Sequence, residues 1–106
     1  LLLKKANGEY NINLRANGQS CLYLACKHDR VETVKLLLEQ EGINYNIKTP
    51  TGYTPLMIAA ENGRWKIVEM LMQLPEIDVN ALTVDGESAR SLAKNHDIVD
   101  LIDKYS

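Results

Sequence analysis

Gly18, Gly52 and Gly86 recur at a fixed spacing of 34 residues, and the residues around them move in register. Such a period marks a chain built from repeated supersecondary units, each too small to bury its own apolar face, so that a continuous core forms only when neighbours stack. After each glycine a hydroxyl residue opens a short helical segment. Ser20 precedes Cys21-Leu22-Tyr23-Leu24-Ala25-Cys26, Thr54 precedes Pro55-Leu56-Met57-Ile58-Ala59-Ala60, and Ser88 precedes Ala89-Arg90-Ser91-Leu92-Ala93-Lys94. Ser and Thr are favoured N-caps because the side-chain oxygen accepts an N–H that the first turn leaves unpaired, and Pro55 suits a first helical position, where no N–H is needed.

A second helix is predicted in each unit. Val31, Val34, Leu37 and Leu38, and then Trp65, Val68, Leu71 and Met72, place apolar groups at i, i+3, i+6 and i+7, one buried stripe apiece. The last unit has a shortened stripe of Ile98, Val99, Leu101 and Ile102, with Asp100, Asp103 and Lys104 on a wet outer face, as a terminal unit of a stack requires. Between units run 43–52 and 77–86, both rich in Asn or Asp and ending in a turn glycine. The second closes on Asp85-Gly86, a hairpin dipeptide, and Asn17-Gly18 makes a matching turn after Ile12-Asn13-Leu14. These segments are predicted to be β-hairpin fingers joining helix pairs.

A 34-residue period also suits tetratricopeptide repeats, which have two longer helices and no extended finger. The sequence Thr54-Pro55-Leu56-Met57-Ile58-Ala59-Ala60, the following Asn62-Gly63 and the finger Ile77-Asp78-Val79-Asn80-Ala81 closely resemble the ankyrin pattern T-P-L-x-x-A-A, N-G, A-D-V-N-A. The resemblance covers essentially the whole chain and implies an all-α ankyrin repeat solenoid, antiparallel helix pairs joined by β-hairpin fingers, as a single domain over 1–106. Its expected divisions are the tail of a partial repeat at 1–13, repeats at 14–47 and 48–81, and a C-terminal capping repeat at 82–106. Leu1-Leu2-Leu3 reads as the last turn of an outer helix, so further native repeat sequence is expected upstream.

The chain departs from the family pattern in places. The usual His of T-P-L-H is Tyr23, Met57 and Ser91, which removes a polar cross-link between neighbouring units. Glu41 and Leu74-Pro75-Glu76 suggest one extra residue in each loop after the second helix. Arg90 stands where Leu is typical, which a solvent-facing side of the last unit would tolerate.

Composition narrows the function. With 45% hydrophobic and 25% charged residues the chain has enough apolar matter to fold, and a net charge of -2 gives no pull toward nucleic acid, whose backbone asks for a basic face. No apolar run approaches the ~20 residues of a spanning helix, and no secretory signal pattern opens the chain. Cys21 and Cys26 would lie on one short helix at a spacing unsuited to a disulfide; reduced thiols and an intracellular, cytoplasmic setting follow as the expectation.

No catalytic constellation assembles. Cys21, Cys26, His28 and His96 lack the spacing of a zinc site, and the cysteines are expected to pack as small helix residues beneath a finger. Cys26 and His28 are two apart on a helix and point to different sides. Glu61, Glu69, Asp78, Asp85, Glu87, Asp97, Asp100 and Asp103 all fall at solvent-facing or finger positions, without the burial that tunes a general acid. No glycine-rich phosphate loop is present. Neither a metal, a cofactor nor a small-molecule substrate is implied. Trp65, opening an outer helix, is expected to pack between neighbouring outer helices.

What the resemblance does imply is a protein-interaction module, a scaffold or adaptor, whose partner protein or peptide docks on the finger tips and the exposed face of the first helices. The matching positions are Arg15, Ala16, Asn17, Gln19, Lys27 and His28, then Lys48, Thr49, Pro50, Thr51, Tyr53, Glu61 and Asn62, then Val84, Asp85 and Glu87. Arg15, Lys27 and Lys48 toward one end, with Asp85 and Glu87 toward the other, suggest a bipolar groove. Tyr53 is the expected anchor, since tyrosine is enriched among interface hot spots. The alternative is a regulatory or targeting ankyrin domain of a larger enzyme or channel whose catalytic part lies elsewhere.

Overall fold

The structure is a computed structural model describing residues 12–105. The expectations for Leu1-Leu2-Leu3 and for the tail of a partial repeat fall almost wholly outside the described residues.

Ser20, Thr54 and Ser88 each cap a helix. Their hydroxyl oxygens accept from the backbone N–H of Tyr23, Met57 and Ser91 at 3.1, 3.3 and 3.2 Å. The capped helices are α1 (Cys21–Lys27), α3 (Pro55–Glu61) and α5 (Ala89–Leu92). Each is followed by an outer helix: α2 (Val31–Leu38), α4 (Trp65–Met72) and α6 (His96–Tyr105). The inner helices stack in the order α1, α3, α5 and the outer ones in the order α2, α4, α6, which gives the two-layer solenoid.

The most enclosed element is α3. Pro55 through Ala60 are all buried, because α1 and α5 cover its two sides and α4 its back. Ala59 and Ala60 carry no bulk beyond Cβ, so neighbouring backbones approach closely there. The outer stripe is as the periodicity predicts at Val34, Leu37, Val68, Leu71 and Met72, with Ile67 added.

Trp65 departs from expectation. It does not pack between outer helices: 57% of its surface is exposed, whereas Val31, one repeat earlier at the first position of α2, is half-buried and packs on the core. The last repeat also differs. Its outer helix is the longest of the three, at ten residues, and its inner helix is cut to four, because Ala93 leaves the helical region at ψ 125°. Arg90 faces solvent as its position required and is held by Asp103 through Nε at 2.8 Å and Nη2 at 3.1 Å. Where the family's histidine would stand, Met57 Sδ and Ser91 Oγ accept instead from the N–H of their own N-caps, Thr54 and Ser88, at 3.3 and 2.8 Å.

The fingers are of two kinds. In the first, Asn17 and Gly18 both take positive φ, 55° and 78°, the signature of a tight two-residue turn, and Arg15–Ala16 (β1) pairs antiparallel with Gln19–Ser20 (β2). In the second and third, only the glycine is left-handed. Thr49 N donates to Tyr53 O at 2.9 Å and Thr83 N to Glu87 O at 2.8 Å, across loops one residue longer. Asp85-Gly86 is therefore not a two-residue hairpin turn, as its dipeptide suggested, and no ladder forms there.

Successive fingers and loops are tied together. Val84 N donates to Thr51 O at 3.0 Å, and the Arg15 guanidinium to Lys48 O at 2.9 Å. Gly18 lies against Pro50, where an added Cβ would fall 2.6 Å from the ring Cδ. The Asn13 amide spans to the next loop, donating to Gly42 O at 2.8 Å and accepting from Asn44 N at 2.7 Å. Asn46 repeats the bracket one unit on, to Glu76 O and from Asp78 N, both at 2.9 Å.

Candidate functional site

Position 49 of the second finger and position 83 of the third carry the same clasp. Thr49 Oγ1 accepts from Tyr53 N at 3.1 Å, and Thr83 Oγ1 accepts from Glu87 N at 3.1 Å and Asp85 N at 3.2 Å. Thr49 also shares a hydrogen bond with Thr51 at 3.1 Å. The hydroxyl of Thr49 thus holds the finger's shape, and the recurrence of threonine one period apart was the signal for it. What the clasp does is fix the backbone of the residues just before α3 and α5, and so aim Tyr53 and Glu87.

Tyr53 is half-buried, and its hydroxyl donates to Glu61 Oε2 at 2.9 Å, from the start of the inner helix to its end. Glu61 is itself half-buried rather than fully solvated, as is Glu69, contrary to the expectation of wholly wet carboxylates. Burial, the bond to Glu61 and the negative charges of Glu61 and Glu87 all favour the neutral phenol, pushing Tyr53 up from 10.0 to about 12. Tyr23, close enough to feel the same charges, is buried, and its hydroxyl too is raised, first by burial and then by Glu61. Tyr23 enters the site only through folding; the sequence marked it as the replacement for a histidine and nothing more. Tyr53, Glu61, Glu87 and Tyr23 form an acidic, aromatic centre.

The remaining predicted residues spread around that centre. Arg15 and Asn17 are exposed and Gln19 half-buried on the first finger; Lys48, Thr51 and Asn62 are exposed in the second repeat, and Asp85 and Glu87 in the third. Lys27 is half-buried, and its carbonyl oxygen accepts from Arg64 Nε and Nη2 at 3.4 and 3.1 Å. His28 caps α1 and lines a separate open groove with Cys21, Leu24, Ala25, Arg30 and Thr33, so it is not gathered with Tyr53. At the tips Val84 is 72% exposed and Pro50 is exposed as well, which adds apolar contact area beside the polar positions.

Both thiols are free. Cys26 is fully buried, and burial pushes its thiol up, so it stays protonated and inert; Cys21 is half-buried. Among the described residues no group of three or more His, Cys, Asp or Glu is placed to hold a metal ion, and no helix is long and apolar enough to cross a membrane.

Comparison with known proteins agrees with this architecture. A family model for ankyrin repeats, three copies, matches residues 1–83. The human SMC5-SMC6 complex localization factor protein 1 is 38% identical over 86 residues, which are 80% of this chain and 8% of that protein. Human Rabankyrin-5 is 37% identical over 81 residues, 76% of this chain and 7% of that one. The chain thus spans less than a tenth of the length of either curated relative. The solved ankyrin repeat domain of Bcl-3 superposes with a TM-score of 0.81 at 23% identity, covering 88% of this chain and 41% of that one, a likeness of fold. The family match over 1–83, together with three capped helix pairs and their fingers, places this chain in the ankyrin repeat family.

Proposed function

We propose that this chain binds a partner protein across its finger tips and the exposed face of its inner helices, with Tyr53 as the anchor. Ankyrin repeats are protein-interaction modules, and the observation that carries the specific reading is the tethering of the Tyr53 phenol to Glu61 at 2.9 Å on a finger clasped by Thr49. A large amphipathic ring held in place before binding loses little rotamer freedom when a partner arrives, which is what makes tyrosine an effective hot spot. Glu61 and Glu87 beside it favour a basic group at the centre of the partner's contact, while Arg15 and Lys48 toward the first finger favour an acidic one there.

The test begins with a partner recovered by the intact domain from its native cell. Tyr53→Ala should weaken binding by about 2 kcal/mol or more, whereas Leu71→Ala, in the buried stripe, should instead cost about 2 to 5 kcal/mol of stability. Normal affinity in a Tyr53, Lys48 and Glu61 triple alanine variant would place the interface elsewhere.

A second reading rests on length. Because the matched curated relatives are more than ten times longer than the matched segment, the same surface would serve as the targeting or regulatory domain of a larger chain. The free thiols, one of them sealed in the core, support an intracellular setting for it.

A further inference from the structure

Trp65 has no structural reason to be tryptophan. The same position one repeat earlier is filled by Val31, which packs on the core, while the Trp65 ring stands largely outside it. An exposed indole on an otherwise ordinary helix start is a large apolar surface left in water.

The ring does not stand alone. It lines an open groove of about 320 Å³ on the outer side of the stack, between α4 and α6, with Gly63, Glu69, Asn95, Asp97 and Leu101. Glu69 lies one turn along α4 from Trp65, and Asp97 lies in the first turn of α6. Neither carboxylate forms an ion pair among the described residues, and no lysine or arginine lines the groove. Arg64, between Gly63 and Trp65 in sequence, is directed to the Lys27 carbonyl, and Lys66 and Lys94 are exposed; none of the three belongs to the lining. Gly63 leaves the floor low, since a Cβ there would first meet Asn95 Nδ2 at 3.6 Å.

An aromatic face attracts a cation through its quadrupole, and two unpaired carboxylates beside it attract the same charge; an anion or a neutral apolar ligand gains from only one of these or neither. We propose that this groove docks a basic segment of a partner protein, one lysine or arginine side chain lying over Trp65 with its charge against Glu69 and Asp97. The groove belongs to the outer helices, so it is a second surface, distinct from the one centred on Tyr53.

Trp65 is the single tryptophan of the chain, so its fluorescence reports this site alone. Titration with an N-acetylated tetra-arginine peptide should change the emission saturably, and a tetra-glutamate peptide should leave it unchanged. Glu69→Gln with Asp97→Asn should weaken binding of the arginine peptide about ten-fold or more. Glu39→Gln with Glu41→Gln, which removes the same charge from exposed positions elsewhere, should leave it within about two-fold. Calorimetry on Trp65→Ala, whose fold is checked by circular dichroism, should show a loss of about ten-fold. Unaltered emission, equal weakening by both carboxylate pairs, or full affinity in Trp65→Ala would each overturn the proposal.

Discussion

The guanidinium of Arg64 reaches from the second repeat back to the first, donating to the carbonyl oxygen of Lys27 at the end of α1. That carbonyl is one of the acceptors a helix C-terminus leaves unpaired, and the charge complements the negative end of the helix. Arg64→Met should therefore lower unfolding stability by about 1 to 2 kcal/mol in urea titration, the upper figure being limited by partial exposure. Arg64→Lys should recover only part of this, since an ammonium lacks the planar fork. Full recovery would show that charge alone matters.

Gly18 and Gly86 separate backbone strain from close packing. Both have φ near +80°, at 78° and 79°, but a Cβ at Gly86 meets open space while one at Gly18 strikes Pro50. Gly86→Ala should cost about 1 to 2 kcal/mol from the left-handed conformation. Gly18→Ala should cost about 1 to 3 kcal/mol more, because the Pro50 ring is closed onto its own backbone and cannot rotate away as a flexible side chain would. Equal denaturation midpoints for the two variants would mean the first two fingers separate without penalty.

Asp29 occupies the place that Gly63 holds one repeat later, just past the inner helix, with φ 59° against 72°. A left-handed residue there ends the helix, and glycine adopts it without a Cβ clash. Asp29→Gly is expected to stabilise the chain by up to about 1 kcal/mol, read as a higher urea midpoint at an unchanged slope.

Tyr53 makes stability depend on alkali. With its ordinary value at 10.0 and its folded value at about 12, the folded chain keeps a proton between those limits that the unfolded chain has lost. The contribution is thus complete below pH 10 and is lost as pH rises toward 12. The buried Cys26 thiol adds a slope of the same sign, starting from 9.0, in any variant that retains it. Tyr53→Phe should be less stable than the parent at neutral pH, and the gap should narrow steadily above pH 10. Parallel curves would show that the phenol is unperturbed.

The features that could be read in advance are those set by local chemistry. Ser20, Thr54 and Ser88 cap because a hydroxyl before a helix has an N–H within reach whatever surrounds it, and the 34-residue recurrence carries the stacking with it. What escaped is long-range. Periodicity tells which face of a helix is apolar but not how tightly its first turn is covered, so the Trp65 indole, expected to be packed between outer helices, instead borders an open groove facing α6. The Asn13 and Asn46 brackets and the Arg64 contact join residues about a repeat apart, and no short window of sequence contains both partners. In the candidate site, Tyr53 and Glu61 each fall at a partner-contact position that the ankyrin resemblance implies. Their pairing depends on the inner helix bringing its two ends onto one face, with Glu87 supplied by the next finger.

The enclosure of α3 has a kinetic consequence. A helix covered on both flanks and at its back opens only when two inter-repeat interfaces and one intra-repeat interface give way together, whereas α1 and α5 each have one described inner neighbour. Amide hydrogens of Ile58 to Ala60 should exchange with solvent slowest of all, and those of the four-residue α5 among the fastest of the helices. Among the described helices, the segment bearing Tyr53 and Glu61 at its two tips would then be the last to lose its shape.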